Sequence, residues 1–235
     1  MEDKQKIRER IWKLLEQKKA SRFPGARGRI PNFVGSESCA RWLSELPEWQ
    51  NAKVIKSNPD SPQRQIRYQA LNDGKIVYMA VPRLASSKPF VELDPRELKN
   101  LYEASSIKGA STFGKAVSVN EMRTIDLVVC GSVAVNKIGE RIGKGEGYSE
   151  LEFALAVEAG KLKRNAPVIT SVHPLQLIHE RIDRKRHDFT VNIILTPDEI
   201  LRCPPDRKRP KGIYWKDLSK QKIEEIPALM KLKPR

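Results

Sequence analysis

Short apolar runs alternate along this chain with segments whose apolar residues recur at helical spacing, and this alternation constrains the fold more than any other feature. The apolar runs predict strands at residues 53–56, 75–81, 125–135, 168–172 and 191–195. The periodic segments predict helices at residues 4–19, 36–46, 63–72, 95–104 and 151–162. Apolar strands joined through helices are typical of a mostly parallel sheet covered on both sides. The sequence therefore predicts a three-layer α/β fold.

The composition excludes several classes of protein. The chain has 235 residues, of which 39% are hydrophobic and 31% charged, and this balance is ordinary for a folded globular protein. No apolar stretch approaches the ~20 residues that a membrane-spanning helix needs. Residues 1–6 lack the apolar core of a signal peptide, so a cytoplasmic location is expected. Cys39, Cys130 and Cys203 have no paired spacing, which argues against a disulfide framework and against a cysteine zinc site.

The positive charge is concentrated at the two ends of the chain. The formal net charge is +15, and residues 1–30 contribute +6 of it while residues 202–235 contribute +7. Such an excess suggests an anionic partner: a nucleotide, a polyglutamate tail or a nucleic acid. A solvated basic surface, as in heat-stable proteins, is the alternative. Residues 202–235 also hold five prolines. They are predicted to form an extended basic arm with one short helix, separate from an α/β domain at residues 1–201.

A glycine-rich segment follows the strongest predicted strand and precedes a predicted helix. Four of the 13 glycines fall within nine residues of this segment, at Gly139, Gly143, Gly145 and Gly147. Ligands of α/β sheets bind at this type of position, beyond the carboxyl ends of the strands. Glycines let backbone N–H groups approach a phosphate closely, and the following helix N-terminus adds partial positive charge. Arg141 and Lys144 supply full charges, and Glu150 is a candidate Mg²⁺ ligand. The alternative is a glycine-rich hairpin whose charges face water.

Residues 139–150 resemble the signature G-x-R-x-G-x-G-x-G-Y-Y-D of the 5-formyltetrahydrofolate cyclo-ligase family. All four glycines, Arg141 and Tyr148 match this signature, whereas Ser149 stands for the second tyrosine and Glu150 for the aspartate. Further matches extend the resemblance over roughly residues 4–200. They are the basic helix with Lys4 and Arg8, Gly74-Lys75, Pro82-Arg83, Gln176, His187-Asp188, Val191 and Thr196-Pro197. The spelling of the glycine segment is similar to the family's divergent synthetase domain-containing branch.

The resemblance implies a fold of the ribose-phosphate isomerase/CoA-transferase-like group, with the basic N-terminal helix folded over the site. It implies a ligase that uses ATP and Mg²⁺ to convert 5-formyltetrahydrofolate, or a related pterin, to the 5,10-methenyl form. Arg141 and Lys144 are then the expected catalytic residues, and Glu150 the expected Mg²⁺ ligand. The implied ATP-binding residues are Lys4, Arg8, Gly139, Arg141, Gly143, Lys144, Gly145, Glu146, Gly147 and Tyr148. The implied substrate-binding residues are Asp60, Pro82, Arg83 and Tyr148.

Two other functions remain open at this stage. The first is a nucleotide- or RNA-binding protein that kept the fold and lost the synthetase activity, as Ser149, Glu150 and the basic ends suggest. Binding of nucleic acid through those ends would weaken steeply with salt. The second is a phosphosugar or CoA-type enzyme, for which no nucleophile is identified. The sequence leaves the oligomeric state open.

Overall fold

The computed structural model describes residues 3–205 and 209–233, and an eight-stranded sheet lies at its centre. The described residues form eleven strands: β1 (Val54–Ser57), β2 (Ile76–Ala80), β3 (Phe90–Leu93), β4 (Lys115–Val117), β5 (Leu127–Cys130), β6 (Ala134–Asn136), β7 (Arg141–Ile142), β8 (Val168–Ser171), β9 (Leu177–Ile178), β10 (Ile193–Leu195) and β11 (Ile200–Arg202). The large sheet has the order β11-β10-β8-β5-β1-β2-β3-β4. Its five central strands, from β10 to β2, are parallel to one another. The edge strands β11, β3 and β4 pair in antiparallel fashion.

Helices cover both faces of this sheet. The described residues form eight α-helices: α1 (Lys4–Gln17), α2 (Pro47–Asn51), α3 (Arg64–Asn72), α4 (Leu101–Ala104), α5 (Ile107–Phe113), α6 (Tyr148–Glu158), α7 (Lys220–Glu225) and α8 (Pro227–Leu232). Successive residues of a strand point to opposite faces of the sheet. In β1, Val54 packs in the cluster that contains Phe153 of α6, and Ile55 packs in the cluster that contains Ile66 of α3. The predicted three-layer α/β fold with a mostly parallel sheet is confirmed.

A second, three-stranded sheet carries the N-terminal helix. Its order is β7-β6-β9, with β6 antiparallel to β7 and parallel to β9. The helix α1 places Ile7, Ile11 and Leu15 on one face, and all three are almost completely buried in a cluster that includes Ile142 and Ile178. The apolar stripe predicted from their spacing therefore anchors α1 to the small sheet.

The apolar run at residues 125–135 was predicted as one strand, and the structure divides it between the two sheets. Strand β5 ends at Cys130, and β6 begins at Ala134 in the small sheet. Gly131 lies at the division, where a Cβ atom would come within 2.8 Å of Ile30 and 2.9 Å of the Asp60 carboxylate. The chain leaves the large sheet at a residue that only glycine can occupy without displacing these neighbours.

Several other predicted elements differ in extent. The segment predicted as a helix at residues 36–46 is a 3₁₀ helix at Ser36–Glu45, and Pro47 begins α2 instead of ending a helix. Proline is favoured in the first turn of a helix, where its missing N–H is not needed. The helix predicted at residues 95–104 is reduced to α4, and α5 follows it. The strands β3 and β4 were not predicted.

The C-terminal tail packs against the core. Its described residues include two consecutive short α-helices, α7 and α8, where one short helix was predicted. Ile226 and Leu229 are fully buried in the cluster beside α6, so the described part of the tail is not an extended arm. The domain boundary at residue 201 stays a prediction. Within residues 3–205 and 209–233, no helix combines the length and the apolar character that crossing a membrane requires.

Candidate active site

A cavity of about 850 Å³ opens at the carboxyl ends of three central strands. Asn58 follows β1, Val81 follows β2 and Gly131 follows β5, and all three line the cavity. The glycine-rich loop, residues 143–147, and the N-terminal helix form further parts of its wall. The predicted position of the ligand site, at the strand ends, therefore coincides with the large concavity of the structure.

The cavity gathers all but one of the residues predicted from the sequence. Those that line it are Lys4, Arg8, Asp60, Pro82, Arg83, Arg141, Gly143, Lys144, Gly145, Glu146, Gly147, Tyr148 and Glu150. Gly139 is the exception and requires a correction, because it lies in the buried turn between β6 and β7 and does not line the cavity. A Cβ atom at Gly139 would come 2.2 Å from the carbonyl oxygen of Val191, and its φ is +83°. Gly139 is thus a hairpin glycine, as in the alternative reading of this segment.

Helix α1 brings two cations to the glycine-rich loop. Arg8 Nε donates a hydrogen bond of 2.7 Å to the carbonyl oxygen of Gly143. Lys4 Nζ lies 2.5 Å from Asp188 Oδ2, so an ion pair fixes its position. Burial lowers the pKa of Arg8, although the nearby carboxylates oppose this shift. Among the described residues, no carboxylate forms an ion pair with Arg8, which leaves its charge available to an anionic ligand.

Arg141 and Glu150 form a buried ion pair in the wall of the cavity. Arg141 Nη1 lies 2.5 Å from Glu150 Oε1, and the Arg141 side chain is 2% exposed. Its guanidinium stacks 4.5 Å from the ring centroid of Phe189 and donates to the carbonyl oxygen of Gly131. Burial acts to lower the pKa of Arg141, but Glu150, together with Cys130 and Asp188, outweighs this effect and raises the pKa. Arg141 therefore stays cationic and holds Glu150 in place.

Glu150 is suited to bind a metal ion only when a phosphate-bearing ligand supplies further oxygen atoms. Arg141 holds Oε1 of Glu150, and Oε2 accepts no hydrogen bond from the described residues. Within the described ranges, no group of three or more His, Cys, Asp or Glu side chains has the arrangement of a metal site. Mg²⁺ usually binds proteins through one or two carboxylates and completes its octahedron with phosphate oxygens and water. Glu150 fits this mode as a single protein ligand.

Lys144 and Glu146 lie at the mouth of the cavity. Lys144 Nζ is 2.8 Å from Glu146 Oε2, and the two side chains are 38% and 45% exposed. An exposed pair of this kind is held weakly. Lys144 can therefore exchange Glu146 for an anionic ligand at little cost.

Asp60 sits in a turn that a buried arginine holds. Arg67 is 1% exposed, and its Nη atoms donate to the carbonyl oxygens of Asn58, Pro59 and Asp60. Burial raises the pKa of the Asp60 carboxyl, while the positive charges of Lys144, Arg67 and Lys56 act in the opposite direction. The turn thus presents a partly desolvated carboxylate to the cavity.

Pro82 and Arg83 are at the exposed edge of the cavity, after β2. Arg83 has a φ of +57°, in the left-handed region that non-glycine residues rarely adopt. Its side chain is exposed. Of the four predicted substrate-binding residues, Pro82 and Arg83 are thus exposed at the edge, whereas Asp60 and Tyr148 are half-buried.

A buried polar network that reaches the wall of the cavity was not predicted from the sequence. Lys56 and Glu152 form an ion pair, and their side chains are 2% and 6% exposed. Asn58 Nδ2 donates to Glu152 Oε2 at 3.0 Å, and Ser149 Oγ donates to Asn58 Oδ1 at 3.3 Å. Burial raises the pKa of Glu152, and Lys56 opposes that shift. A lysine inside the short apolar run at residues 53–56 was the available signal, because such a charge is retained only with a partner.

The cavity also collects charge from both basic ends of the chain. Lys4 and Arg8 come from the first helix, and Lys222 comes from α7. The charge excess that the sequence places at the two ends therefore meets, in part, at one site. This arrangement favours an anionic ligand in the cavity.

Comparison with known proteins identifies relatives of this chain. The chain is 38% identical to the methenyltetrahydrofolate synthase domain-containing protein of Mus musculus and 34% identical to that of Homo sapiens, over 99% of this chain in each case. It spans only 63% and 62% of the length of these two relatives. Their name is that of the branch the resemblance pointed to.

A solved structure shares the fold, and a family model covers most of the chain. The 5,10-methenyltetrahydrofolate synthetase of Aquifex aeolicus superposes with a TM-score of 0.53 at 18% identity, covering 87% of this chain and 92% of the synthetase. This likeness supports the fold alone. The model of the 5-formyltetrahydrofolate cyclo-ligase family matches residues 1–197. Since that match covers most of its length, the chain belongs to the 5-formyltetrahydrofolate cyclo-ligase family.

Proposed function

We propose that this chain is an ATP- and Mg²⁺-dependent ligase that converts 5-formyltetrahydrofolate, or a closely related pterin, to the 5,10-methenyl form. The observation that carries the proposal is a single cavity with two features: the Arg8 guanidinium of α1, which is hydrogen-bonded to the glycine-rich loop, and the partly desolvated carboxylate of Asp60. Arg8 and the glycine-rich loop suit the phosphates of a nucleotide, and the Asp60 carboxylate suits the N–H groups of a pterin ring. The volume of about 850 Å³ lies within the ~300–1,000 Å³ range of ligand sites.

The proposed reaction requires the positioning of ATP and the folate and the stabilisation of charge on the transferred phosphoryl group. The γ-phosphoryl group of ATP passes to the formyl oxygen and ADP is released; N10 of the folate then attacks the activated carbon and loses its proton, and the oxygen departs with phosphate. Phosphoryl transfer depends mainly on cationic stabilisation and alignment. In our proposal Arg8 and Lys144 bind the phosphates, and the N–H groups of the loop at residues 143–147 assist them. Arg141 acts by holding Glu150.

Glu150 would hold Mg²⁺ through the carboxylate oxygen that Arg141 leaves unoccupied. The metal, when bound, neutralises part of the charge on the phosphates. The Asp60 carboxylate would accept hydrogen bonds from the pterin ring and so orient the formyl group. Pro82, Arg83 and Tyr148 would contact the remainder of the substrate at the edge of the cavity.

A nucleotide-binding protein without ligase activity is the second candidate. Ser149 favours it, because this residue stands where the family signature has a tyrosine and its hydroxyl is engaged by Asn58 in the buried network. The side chain therefore serves the wall of the cavity in this chain. Binding of RNA through the basic ends stays a prediction and would be salt-dependent.

Turnover separates the two candidates. Purified protein is incubated with 5-formyltetrahydrofolate and Mg-ATP, and the absorbance of the methenyl product and the release of phosphate are followed together. We expect both in a one-to-one ratio, lost in Asp60→Asn and retained in Lys13→Ala, an exposed residue of α1 outside the cavity. Binding of Mg-ATP without product would reject the ligase and support the second candidate. Absence of both binding and product would reject both.

A further inference from the structure

The C-terminal segment, which we define as residues 209–233, forms one wall of the cavity. It lies beyond residues 1–197, the part that the family model matches. The segment lines the cavity with six residues, Gly212, Ile213, Tyr214, Asp217, Leu218 and Lys222. The site of this chain therefore contains groups that the family signature does not include.

The segment is attached at several points along its length. Ile213 N donates to Glu158 Oε2 at 3.0 Å. Asp217 accepts two hydrogen bonds from Arg186, at 2.7 and 2.6 Å. Further along, Ile226 and Leu229 are completely buried in the core. These contacts fix the segment on both sides of Lys222.

Lys222 carries a charge toward the cavity without an acidic partner. Its Nζ lies 3.5 Å from the ring centroid of Tyr148 and 3.4 Å from the carbonyl oxygen of Glu146. No carboxylate within the described part of the chain forms an ion pair with it, in contrast to Lys4 and Lys144. An aromatic face and one carbonyl compensate a cation only in part. The charge of Lys222 is thus available to bind an anion in the cavity.

Arg8 and Lys222, which form no ion pair within the described residues, contact the glycine-rich loop near its two ends. Arg8 binds the carbonyl oxygen of Gly143, and Lys222 lies at that of Glu146. We propose that Lys222 is a binding residue for the phosphate groups of the nucleotide in this cavity, supplied by the C-terminal segment. This inference rests on the proposed function, because it takes the nucleotide as the ligand of the loop.

Calorimetric titration of the whole chain with Mg-ATP and with adenosine tests the role of Lys222. Because a charge-assisted hydrogen bond is lost, Lys222→Ala should raise the Kd for Mg-ATP about tenfold. The Kd for adenosine should not change, since adenosine has no phosphate. Lys222→Arg should keep the Kd for Mg-ATP within about threefold of wild type. Lys220→Ala is the matched control, because this residue is on the same helix, is exposed and does not line the cavity.

The outcomes distinguish this inference from the proposed function. An equal Kd for Mg-ATP in wild type and Lys222→Ala would overturn the role of Lys222 and leave the proposed function intact. An equal loss of affinity for Mg-ATP and adenosine would overturn the assignment to phosphate. Wild-type protein that binds no Mg-ATP would overturn both. Urea unfolding of each variant provides the independent measure of folding.

Discussion

Arg8 Nε donates a 2.7 Å hydrogen bond to the carbonyl oxygen of Gly143, and this contact joins the first helix to the glycine-rich loop across 135 residues of sequence. The helix is held in place by apolar contacts of Ile7 and Ile11 with the small sheet. A rigid element therefore presents the guanidinium to the loop. The geometry of the phosphate site therefore depends on the packing of the adjacent apolar face of the same helix.

Replacing Arg8 should weaken nucleotide binding selectively. In Arg8→Ala the cation and its hydrogen bond to the loop are lost, so the Kd for Mg-ATP should rise by at least about tenfold. Lys13→Ala, on the same helix and exposed, should bind as wild type does. Titration calorimetry measures both. An unchanged Kd in Arg8→Ala would contradict the placement of the phosphates.

The carboxyl of Asp60 should affect stability in a pH-dependent manner. Burial raises its pKa in the folded state, so folding favours the protonated form. Its contribution is most favourable below the unfolded pKa of about 3.9 and is lost as the pH rises through the raised folded pKa. Asp60→Asn has no carboxyl at this position, so this loss of stability with rising pH is absent in the variant. The free energy of unfolding of the variant, minus that of wild type, should therefore increase from about pH 4 to about pH 7.

Urea unfolding at several pH values measures that difference, and the turnover assay gives its functional counterpart. We expect Asp60→Asn to be inactive even where it is the more stable protein, since a carboxylate that binds substrate is not optimised for folding. A difference that is constant or falls with pH would contradict the desolvation of Asp60.

Gly139 should behave as a structural glycine and not as a ligand-binding one. Gly139→Ala introduces a Cβ 2.2 Å from the Val191 carbonyl oxygen at a φ of +83°. It should destabilise the fold by about 2 kcal/mol or more. Gly160→Ala, with a φ of +65° and no atom within 4 Å, carries the backbone cost alone and should lose less. The Kd of folded Gly139→Ala for Mg-ATP should equal that of wild type, and a large increase would return Gly139 to the binding site.

The Arg141–Glu150 pair should behave as one unit. Arg141→Met leaves the Glu150 carboxylate mostly buried without its partner, which should cost about 3–5 kcal/mol of unfolding free energy. The double variant with Glu150→Gln should recover much of that loss, because no buried charge remains. Urea unfolding of the two single variants and the double variant measures the coupling energy. Additive losses would contradict a coupled pair.

The sequence predicts the five central parallel strands of the large sheet, because buried parallel strands appear as continuous apolar runs. It does not predict the break at Gly131, since the residues that crowd this glycine, Ile30 and Asp60, are distant along the chain. The second short helix of the C-terminal segment was not predicted, for a related reason. Ile226 and Leu229 form too short a pattern to outweigh the prolines, and only tertiary packing makes them a core contact.

The site was predicted where local spacing carries the chemistry. The cations of α1 were assigned from the resemblance to the cyclo-ligase family, whereas the glycine-rich loop could be identified because its glycines recur within a few residues. The network of Lys56 with Glu152 could not, because its two charges are 96 residues apart and only the fold pairs them. Lys222 was likewise hidden among the other basic residues of the tail.

The most direct measurement is a crystal structure of the protein with Mg²⁺ and a non-hydrolysable ATP analogue. Our account predicts phosphate oxygens within hydrogen-bonding distance of Arg8 and of backbone N–H groups between Gly143 and Gly147. An analogue bound outside this cavity, or with its phosphates away from the loop, would contradict the account.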